Sequence, residues 1–499
     1  MAANGRALPH PQFQLSRWLF LRVVGITYLL AFASLAPQLL GLVGSDGLLP
    51  VASYLERAAE FFGPGAYYQL PTLVWLSASD TTLLALCWAG IILAGLTIAG
   101  AAPVLTFPLL WALYLSLTVA GQSFLTFQWD VLLLETGLLT CLYAPLGWWP
   151  RLERGAPPSA MIRWLIWGLA FKLTFLSGIT KLASGDPTWS GLTALTYHYQ
   201  TQPLPAWTSW YAHHAPVWAH MGAALVTFII ELVVPFGALL PSRFRRTRMT
   251  ACALMCLLQI GIAVTGNYGF FNLLTVALYI SLLDDRMLSR FLPASLGARA
   301  DTASRPRSPR PWRVVLIAVT PVIALISALA LWQEATFRQP QPSWSTVVLR
   351  VVRPLRSING YGLFRSMTTM RPEIVVEASL DGTTWRDYEF RWKPGNVNER
   401  PRFVQPHMPR LDWLMWFAAL DPAGNEHWLR TLIVKLLDGS PTVTGLLGDS
   451  PFPDTRPRYV RLAIYRYAFT ERDERSQTGN WWRRDPMGYL TESVSRPGP

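Results

Sequence analysis

The stretch FQWDVLLLETGLL, residues 127–139, places two carboxylates inside an otherwise apolar segment. It ends a run from Thr81 to Trp129 that contains no charged residue and no histidine. Asp130 and Glu135 then appear, and the apolar pattern resumes after them. Ionisable side chains inside a bilayer are costly, and they usually face the interior of a helix bundle and find partners there. The stretch therefore predicts a membrane segment that carries part of a buried polar site.

The composition of the whole chain supports a polytopic α-helical membrane bundle. Of the 499 residues, 51% are hydrophobic and 23 are Trp. Apolar runs of about 20 residues recur, and each is long enough to cross a hydrocarbon layer of ~30 Å. About nine spans are predicted, near residues 18–42, 81–99, 104–122, 131–149, 161–183, 216–240, 249–266, 268–284 and 313–333.

The net charge of +13 comes largely from arginines in loops. They cluster at residues 151–154, at 243–248 and in the Arg/Pro/Ser-rich loop 285–312. With the N-terminus in the cytoplasm, all three loops are cytoplasmic, in agreement with the positive-inside rule. The charge is thus explained by membrane orientation, and no nucleic-acid partner is predicted. An odd number of spans places the C-terminus outside the cytoplasm.

Two domains are predicted: residues 1–333 form the transmembrane domain and residues 334–499 an extracytoplasmic domain with its own core. The segment EIVVEASLDGTTWRDYEFRW (373–392) alternates apolar and polar residues around an Asp-Gly pair, which is typical of a β-hairpin. Further strands are predicted at 345–352 and 459–467. Helices are predicted at 411–420 and 427–437. The tail is therefore expected to be a β-sandwich-like domain with a few helices.

The predicted spans and their ends contain five candidate ionisable residues: Asp130, Glu135, Lys172, Lys181 and Glu231. At ~1.5 Å of rise per helical residue, Glu135 and Lys181 fall at a similar depth near the outer surface. Lys172 and Glu231 both fall near the middle of the membrane. We therefore predict the pairs Glu135–Lys181 and Glu231–Lys172. The alternative is that such pairs only fix the register of the helices.

Two outer segments, residues 184–216 and 257–274, complete a predicted outer-face cavity. Aromatic residues of the first segment, Trp207, Trp210 and Tyr211, are candidates for contacts with client proteins, since Trp and Tyr are enriched in binding hot spots. Their alternative role is anchoring at the membrane surface, where the same residues are enriched. The cavity is predicted to be formed by Asp130, Glu135, Lys181, His198, Tyr199, Gln202 and Asn267.

No metal or cofactor is predicted. Four of the seven His lie between His198 and His220, but they do not show the spacing of a known metal motif such as HExxH. The four Cys all fall in predicted spans and indicate neither a disulfide framework nor a metal site. The sequence also lacks a P-loop and a GxSxG elbow, so an ATPase or a lipase is not expected.

The sequence resembles the lipase maturation factor family. Long motifs carry the resemblance: FLTFQWDVLLLETGLL (124–139), LTALTYHYQTQPLPAWTSWYAH (192–213) and NGYGLFRSMTTMRPEIVVEASLDGTTWRDYEFRWKPG (359–395), followed by PRLDWLMWFAAL (409–420) and NWWRRDPMGYL (480–490). The resemblance implies a membrane-bound, chaperone-like folding factor. Animal members reside in the endoplasmic reticulum membrane and help secreted lipases to mature, with the tail facing the lumen. For a bacterial member, which the Arg-, Ala- and Pro-rich composition favours, the corresponding place is the inner membrane, with the tail in the periplasm.

A second, more distant resemblance offers an alternative function. SGITKLASGDPTWSGL (177–192) is similar to a lysine-bearing motif of the vitamin K-dependent gamma-carboxylase family, in which the lysine that matches Lys181 is a catalytic base. This resemblance implies an integral-membrane enzyme acting on a lipid, a quinone or a protein side chain, with Lys181 and Glu135 as catalytic candidates. A neighbouring Glu135 would favour the charged form of the lysine, which opposes a role as base. We therefore favour the ion pair and the maturation factor.

Overall fold

A computed structural model describes residues 12–153, 156–296 and 308–495. The first part of the chain is helical. Its longer helices are α1 (Gln14–Leu35), α2 (Val51–Phe62), α3 (Asp80–Ala99), α4 (Pro103–Ala120), α5 (Gln128–Tyr143), α6 (Ala160–Ala183), α7 (Ala194–Thr201), α8 (Trp207–His213), α9 (Val217–Leu232), α10 (Arg245–Thr265), α11 (Phe271–Ile280), α12 (Arg310–Ala335) and α13 (Ser343–Val352). Short helical segments lie at Leu39–Val43, Ala66–Gln69, Pro187–Ser190, Val234–Ala238 and Asp285–Leu288.

Six of the described helices are long and apolar enough to cross a membrane, namely α1, α3, α4, α6, α10 and α12. The pair α8 and α9, bent by 110°, raises the number to seven if it counts as one span. Helix α5, with 16 residues, and α11, with 10, are shorter than a typical span. The structure thus confirms a multi-span helical region, and the predicted count of nine stays a prediction.

Close packing of α1 against α3 organises the bundle. At Gly90 of α3, an added Cβ would lie 2.5 Å from the ring of Phe32 in α1, so only glycine permits this approach. Helix α12 is different, because only 17% of its most apolar window is buried inside the protein. Its remaining apolar surface is available to lipid, as expected for a span at the periphery of a bundle.

The tail contains an antiparallel sheet with the strand order β2-β1-β3-β4. Its strands are β1 (Arg371–Ser379), β2 (Arg386–Tyr388), β3 (Tyr459–Phe469), β4 (Trp482–Tyr489) and β5 (Val494–Ser495), the last of which pairs with β3. Helices α14 (Arg410–Leu420) and α15 (Pro422–Asp438) pack on β1 and β3. Shorter helices lie at Pro441–Thr444 and Arg472–Thr478.

The predicted hairpin, the strand at 459–467 and both tail helices are confirmed. Val376 of β1 faces Tyr388 of β2 in the hairpin. The described part of the tail forms one five-stranded sheet covered by helices, so a sandwich of two sheets is not confirmed.

The predicted strand at 345–352 is wrong, because this segment lies in helix α13. Its β-branched residues suggested a strand, but Trp344, Val347, Val348 and Val351 have helical spacing and are exposed together on one side of the helix. Because α13 follows the span α12 closely, this apolar side is suited to lie in the membrane interface.

The tail and the helical bundle share one hydrophobic core. A single cluster of buried side chains includes Phe32 of α1, Leu133 of α5, Val376 of β1 and Trp413 of α14. The predicted boundary at residues 333/334 lies just before the end of α12 at Ala335. The junction between bundle and tail is therefore continuous packing, and it is here that the ionisable residues of the bundle meet the tail.

Candidate functional site at the junction of bundle and tail

The first polar contact at the junction joins Asp130 to Arg410. Asp130 lies in the first turn of α5, and Arg410 is the first residue of α14. The guanidinium binds both carboxylate oxygens, with 2.6 Å from Nη1 to Oδ2 and 2.8 Å from Nη2 to Oδ1. The hydroxyl of Tyr114 donates to Oδ1 at 2.6 Å. Both charged groups are buried, so this two-pronged pair fixes the start of α14 to the bundle.

The second contact is centred on Glu135, one to two turns further along α5. Its Oε1 accepts a hydrogen bond from Lys172 Nζ of α6 at 2.5 Å. Its Oε2 accepts from the Tyr361 hydroxyl at 2.7 Å and from the backbone N–H of Asn359 at 3.1 Å. Lys172 also donates to Ser327 of α12 at 3.0 Å. One buried carboxylate thus connects two helices of the bundle with the segment that leads into the tail.

The third contact pairs Lys181 with Glu231. Lys181 Nζ donates to both carboxylate oxygens, at 2.8 and 2.7 Å, and lies 5.2 Å from the ring centre of Trp189. The ammonium group is therefore engaged in a buried ion pair. This arrangement agrees with a structural role for Lys181.

The predicted pairing was wrong, because the two lysines have exchanged partners. The prediction assumed that all spans are perpendicular to the membrane and begin at a common level. Instead, α9 ends against the C-terminal part of α6, where an added Cβ at Gly178 would lie 2.8 Å from Leu232 and 3.0 Å from the Cβ of Glu231. This close approach places Glu231 next to Lys181 and leaves Lys172 to face Glu135.

The other residues of the predicted cavity connect loops to the tail. Gln202 accepts from the Tyr268 hydroxyl at 2.8 Å and donates to the carbonyl of Thr265 at 2.7 Å. Asn267 donates to the carbonyl of Arg402 at 2.9 Å and accepts from the N–H of Val404 at 2.7 Å. Their polar groups are satisfied by the protein itself. An outer-face cavity formed by these residues stays a prediction.

His198 packs between Tyr199 and Phe364, whose ring centres lie 5.8 and 4.9 Å from the imidazole. Its Nε2 is 3.3 Å from the hydroxyl of Tyr268. Burial lowers the pKa of His198 to about 4, and the positive charge of Lys181 acts in the same direction. The folded protein therefore holds this imidazole neutral at pH values at which an unfolded chain binds a proton.

We expect acidification from pH 6.5 towards pH 4 to destabilise the protein in part through His198. Between these values the unfolded state binds the additional proton, so stability falls as the pH falls, by at most about 1.4 kcal/mol per pH unit. His198 is partly exposed as a residue, so the effect is expected to be smaller than this limit. Melting temperatures measured across this range should depend less on pH for His198→Gln than for the wild type. The same reduction in the exposed control His427→Gln would contradict the assignment.

The aromatic residues of helix α8 that were candidates for client contacts differ in accessibility. Trp210 is only 4% exposed, its Nε1 donates to the carbonyl of Thr470 at 3.0 Å, and it packs against Trp481. The expectation that Trp210 offers an exposed client contact was therefore wrong, because the tail covers it. Trp207 is partly buried and packs edge-on against Phe403. Tyr211 is 52% exposed and stays a candidate contact.

Sequence reasoning missed the partners that the tail supplies. Besides Arg410, Asn359 and Tyr361, these include Arg371 of β1, which donates to the carbonyls of Gln200 and Pro203 at 2.9 and 2.8 Å. Arg371 is buried and is held by Glu373 at 2.6 Å. One feature of the sequence could have indicated that these arginines are buried. Each stands directly beside an apolar run, Arg410 in PRLDWLMWF and Arg371 in MRPEIVV. Such a residue is rarely buried without a partner.

The described residues do not include a group of three or more His, Cys, Asp or Glu side chains placed to hold a metal ion. The site instead consists of four buried ion pairs and several side chain-to-carbonyl bonds. This arrangement can hold the folded tail in a fixed position on a membrane bundle. The geometry thus defines a class: an integral membrane protein with a large domain anchored to one end of its helices.

Comparison with known proteins identifies the family within this class. The family model of the lipase maturation factor transmembrane domain matches residues 15–290, and that of the lipase maturation factor C-terminal domain matches residues 357–491. The chain therefore belongs to the lipase maturation factor family, which confirms the resemblance noted in its motifs.

Similar proteins include lipase maturation factor 2 of Homo sapiens, 34% identical over 97% of this chain and 83% of the relative. Lipase maturation factor 2 of Mus musculus is 35% identical over 96% of this chain and 83% of the relative. Lipase maturation factor 1 of Bos taurus is 33% identical over 97% of this chain and 90% of the relative. No solved structure matches this chain.

Proposed function

We propose that this protein is a membrane-bound maturation factor that assists the folding or assembly of exported proteins, with secreted lipases as clients. The observation that carries the proposal is the match of both domains, in order, to relatives that are named lipase maturation factors. The comparisons do not favour the enzyme alternative. The structure supports the proposal because buried contacts at the junction hold the tail in place on the bundle. The tail thus offers a stable surface to a client.

The proposed orientation follows from two features at opposite ends of the bundle. The contacts with the tail lie at the Asp130 end of α5 and just beyond the Lys181 end of α6, where Asp186 accepts from the N–H of Met367. The Arg-rich segments at 151–153 and 243–248 lie at the other end of the helices. Positive charge favours the cytoplasmic side. The tail is thus proposed to face the endoplasmic reticulum lumen, or the periplasm if the chain is bacterial, where exported clients fold.

The client contact is proposed to include the loop–tail surface around Tyr211. Trp210, directly before it, is tied to the tail, and the guanidinium of Arg475 from the tail lies 5.6 Å from the ring centre of Tyr211. An exposed aromatic ring on a fixed base is a favourable anchor for a partner because it loses little conformational entropy on binding. Trp207 lies on the same helix, α8, and extends this surface.

Cells that lack this protein are expected to secrete a client lipase with lower specific activity and unchanged intact mass. Supplying the wild-type chain should restore the activity. Tyr211→Ala should restore it only in part while the melting temperature of the maturation factor stays at the wild-type value. Trp210→Ala should lower that melting temperature, because truncating a buried Trp typically costs 3–5 kcal/mol.

Specific activity and intact mass of the secreted lipase, measured together, check this proposal. A change in lipase mass that depends on this protein would contradict a folding role and indicate covalent modification. Full restoration by Tyr211→Ala would exclude the Tyr211 surface from the client contact.

A further inference from the structure

A cavity of about 470 Å³ lies at the end of the bundle opposite the tail. Its walls come from Arg17 at the start of α1, from the segment after α5 and from Trp312 at the start of α12. Helix α5 begins at the contact between Asp130 and Arg410, so its last residue, Tyr143, lies at the far end. This cavity is therefore separate from the junction described above.

The cavity is positively charged. Arg17 and Arg151 line it, and both also line an adjoining smaller cavity together with Arg22. Within the described residues, none of these three arginines forms a salt bridge: Arg17 donates to the Gln14 side chain and to the carbonyl of Ala156, both at 2.9 Å, and both acceptors are neutral.

The carboxylate of Asp285 acts electrostatically on Arg17, but its oxygens are already occupied. It accepts backbone N–H bonds from Gln14, Leu15 and Ser16, at 2.8, 2.9 and 3.1 Å. It therefore ties the start of α1 to the segment after α11 and leaves the guanidinium groups of Arg17 and Arg151 available to an added anion.

A buried polar group without a partner also lines the cavity. Tyr143 is only 2% exposed, so water does not solvate its side chain. Its hydroxyl is buried and has no hydrogen-bond partner among the described residues. Leaving a buried hydroxyl unsatisfied costs about 1–3 kcal/mol. A ligand oxygen in the cavity would remove this cost.

The rim of the cavity has the character of a membrane interface. Trp148 and Trp149 are 72% and 68% exposed, and Trp312 stands at the start of the span α12. Tryptophan is enriched at the level of the lipid headgroups. Apolar side chains, Leu142, Leu146 and Leu316, complete the lining. A ligand with a charged head and an apolar body fits this combination better than a free inorganic ion.

We propose that this cavity binds the headgroup of an anionic phospholipid. The phosphate accepts from the guanidinium groups of Arg17 and Arg151 and from the Tyr143 hydroxyl, and the acyl chains lie along the exposed apolar surface of α12. Basic pockets between membrane helices bind anionic headgroups in this way, and arginine suits phosphate because its N–H groups form a fork. The lipid connects α1, the segment after α5 and α12, the helix that leads to the tail and has little burial of its own.

The test is a lipid titration of the full-length protein in mild detergent, followed by native mass spectrometry and by melting temperature. Phosphatidylglycerol is expected to bind at one molecule per chain and to raise the melting temperature more than phosphatidylcholine does. Arg151→Gln should weaken this binding roughly fivefold, since a Lys or Arg near an anionic headgroup contributes about that factor. Tyr143→Phe should weaken it while raising the melting temperature of the lipid-free protein, because it removes a buried hydroxyl that has no partner.

The matched control is Arg246→Gln, an exposed arginine at the same end of the bundle that does not line the cavity. Equal binding of phosphatidylglycerol and phosphatidylcholine would overturn the proposal, as would an equal loss of binding in Arg246→Gln and Arg151→Gln. Stabilisation by millimolar inorganic phosphate to the same extent as by phosphatidylglycerol would also overturn it, because the cavity would then bind a soluble phosphate.

Discussion

Replacing Arg410 by Leu is expected to destabilise the protein by about 3–5 kcal/mol, which is the cost of leaving one member of a buried ion pair alone. Asp130 would keep its hydrogen bond from Tyr114 but would lose both bonds from the guanidinium, in an environment where its carboxylate is fully buried. The first turn of α14 would lose its attachment to α5. We expect the tail to become sensitive to protease before the bundle does, and lipase activity in the cellular assay to fall with it.

The control for Arg410→Leu is Arg430→Leu on the neighbouring helix α15. Arg430 pairs with Glu426 at the surface, where the two side chains are 74% and 58% exposed. Exposed pairs contribute about 0–1 kcal/mol, so this variant should unfold almost as the wild type does. The double variant Asp130→Asn/Arg410→Leu should recover part of the loss, because it no longer buries an unpaired charge. Equal effects of Arg410→Leu and Arg430→Leu in denaturation and limited proteolysis would show that the buried pair does not anchor the tail.

The second large loss of stability is expected from replacing Glu135. Two double-mutant cycles measure it, one for Glu135 with Lys172 and one for Glu135 with Lys181. Glu135→Gln and Lys172→Met should each destabilise the protein strongly, because each leaves a buried charge without its partner. The double variant should be more stable than the sum of the two losses predicts, with a coupling of about 1–3 kcal/mol. Glu135 and Lys181 are not bonded to each other, so the corresponding cycle should be additive within about 0.5 kcal/mol.

The readout for both cycles is denaturant or thermal unfolding in the same detergent, with Glu231→Gln/Lys181→Met as a positive control for a bonded pair. Coupling between Glu135 and Lys181 that exceeds the coupling between Glu135 and Lys172 would contradict the structure and restore the pairing predicted from span depth. Tyr361→Phe removes only the hydroxyl that donates to Glu135, so it should show a smaller loss of about 1 kcal/mol.

Local patterns in the sequence were sufficient for much of this protein. Long apolar runs require a helix in a bilayer because the backbone must satisfy its own hydrogen bonds, so the multi-span region follows from hydropathy. The alternating residues of β1 and β2 around Asp381 predicted the hairpin for a similarly local reason. Asp130, Glu135, Lys172, Lys181 and Glu231 were recognised as important because a buried charge needs a partner whatever the fold. The motifs also indicated the family.

The partners of these charges, in contrast, were decided only by the tertiary structure. Partner choice depends on how far one helix slides along another, and that distance is set by close contacts such as the approach of Leu232 to Gly178, which no periodicity within one helix reveals. For the same reason the sequence could not show that Trp210 is covered by the tail or that Arg410 reaches Asp130, 280 residues away in the chain. The sequence by itself determined that the five ionisable residues of the bundle need buried partners. Packing between distant segments determined which pairs they form, because the energy of a buried ion pair depends on the distance between its atoms and not on their separation along the chain.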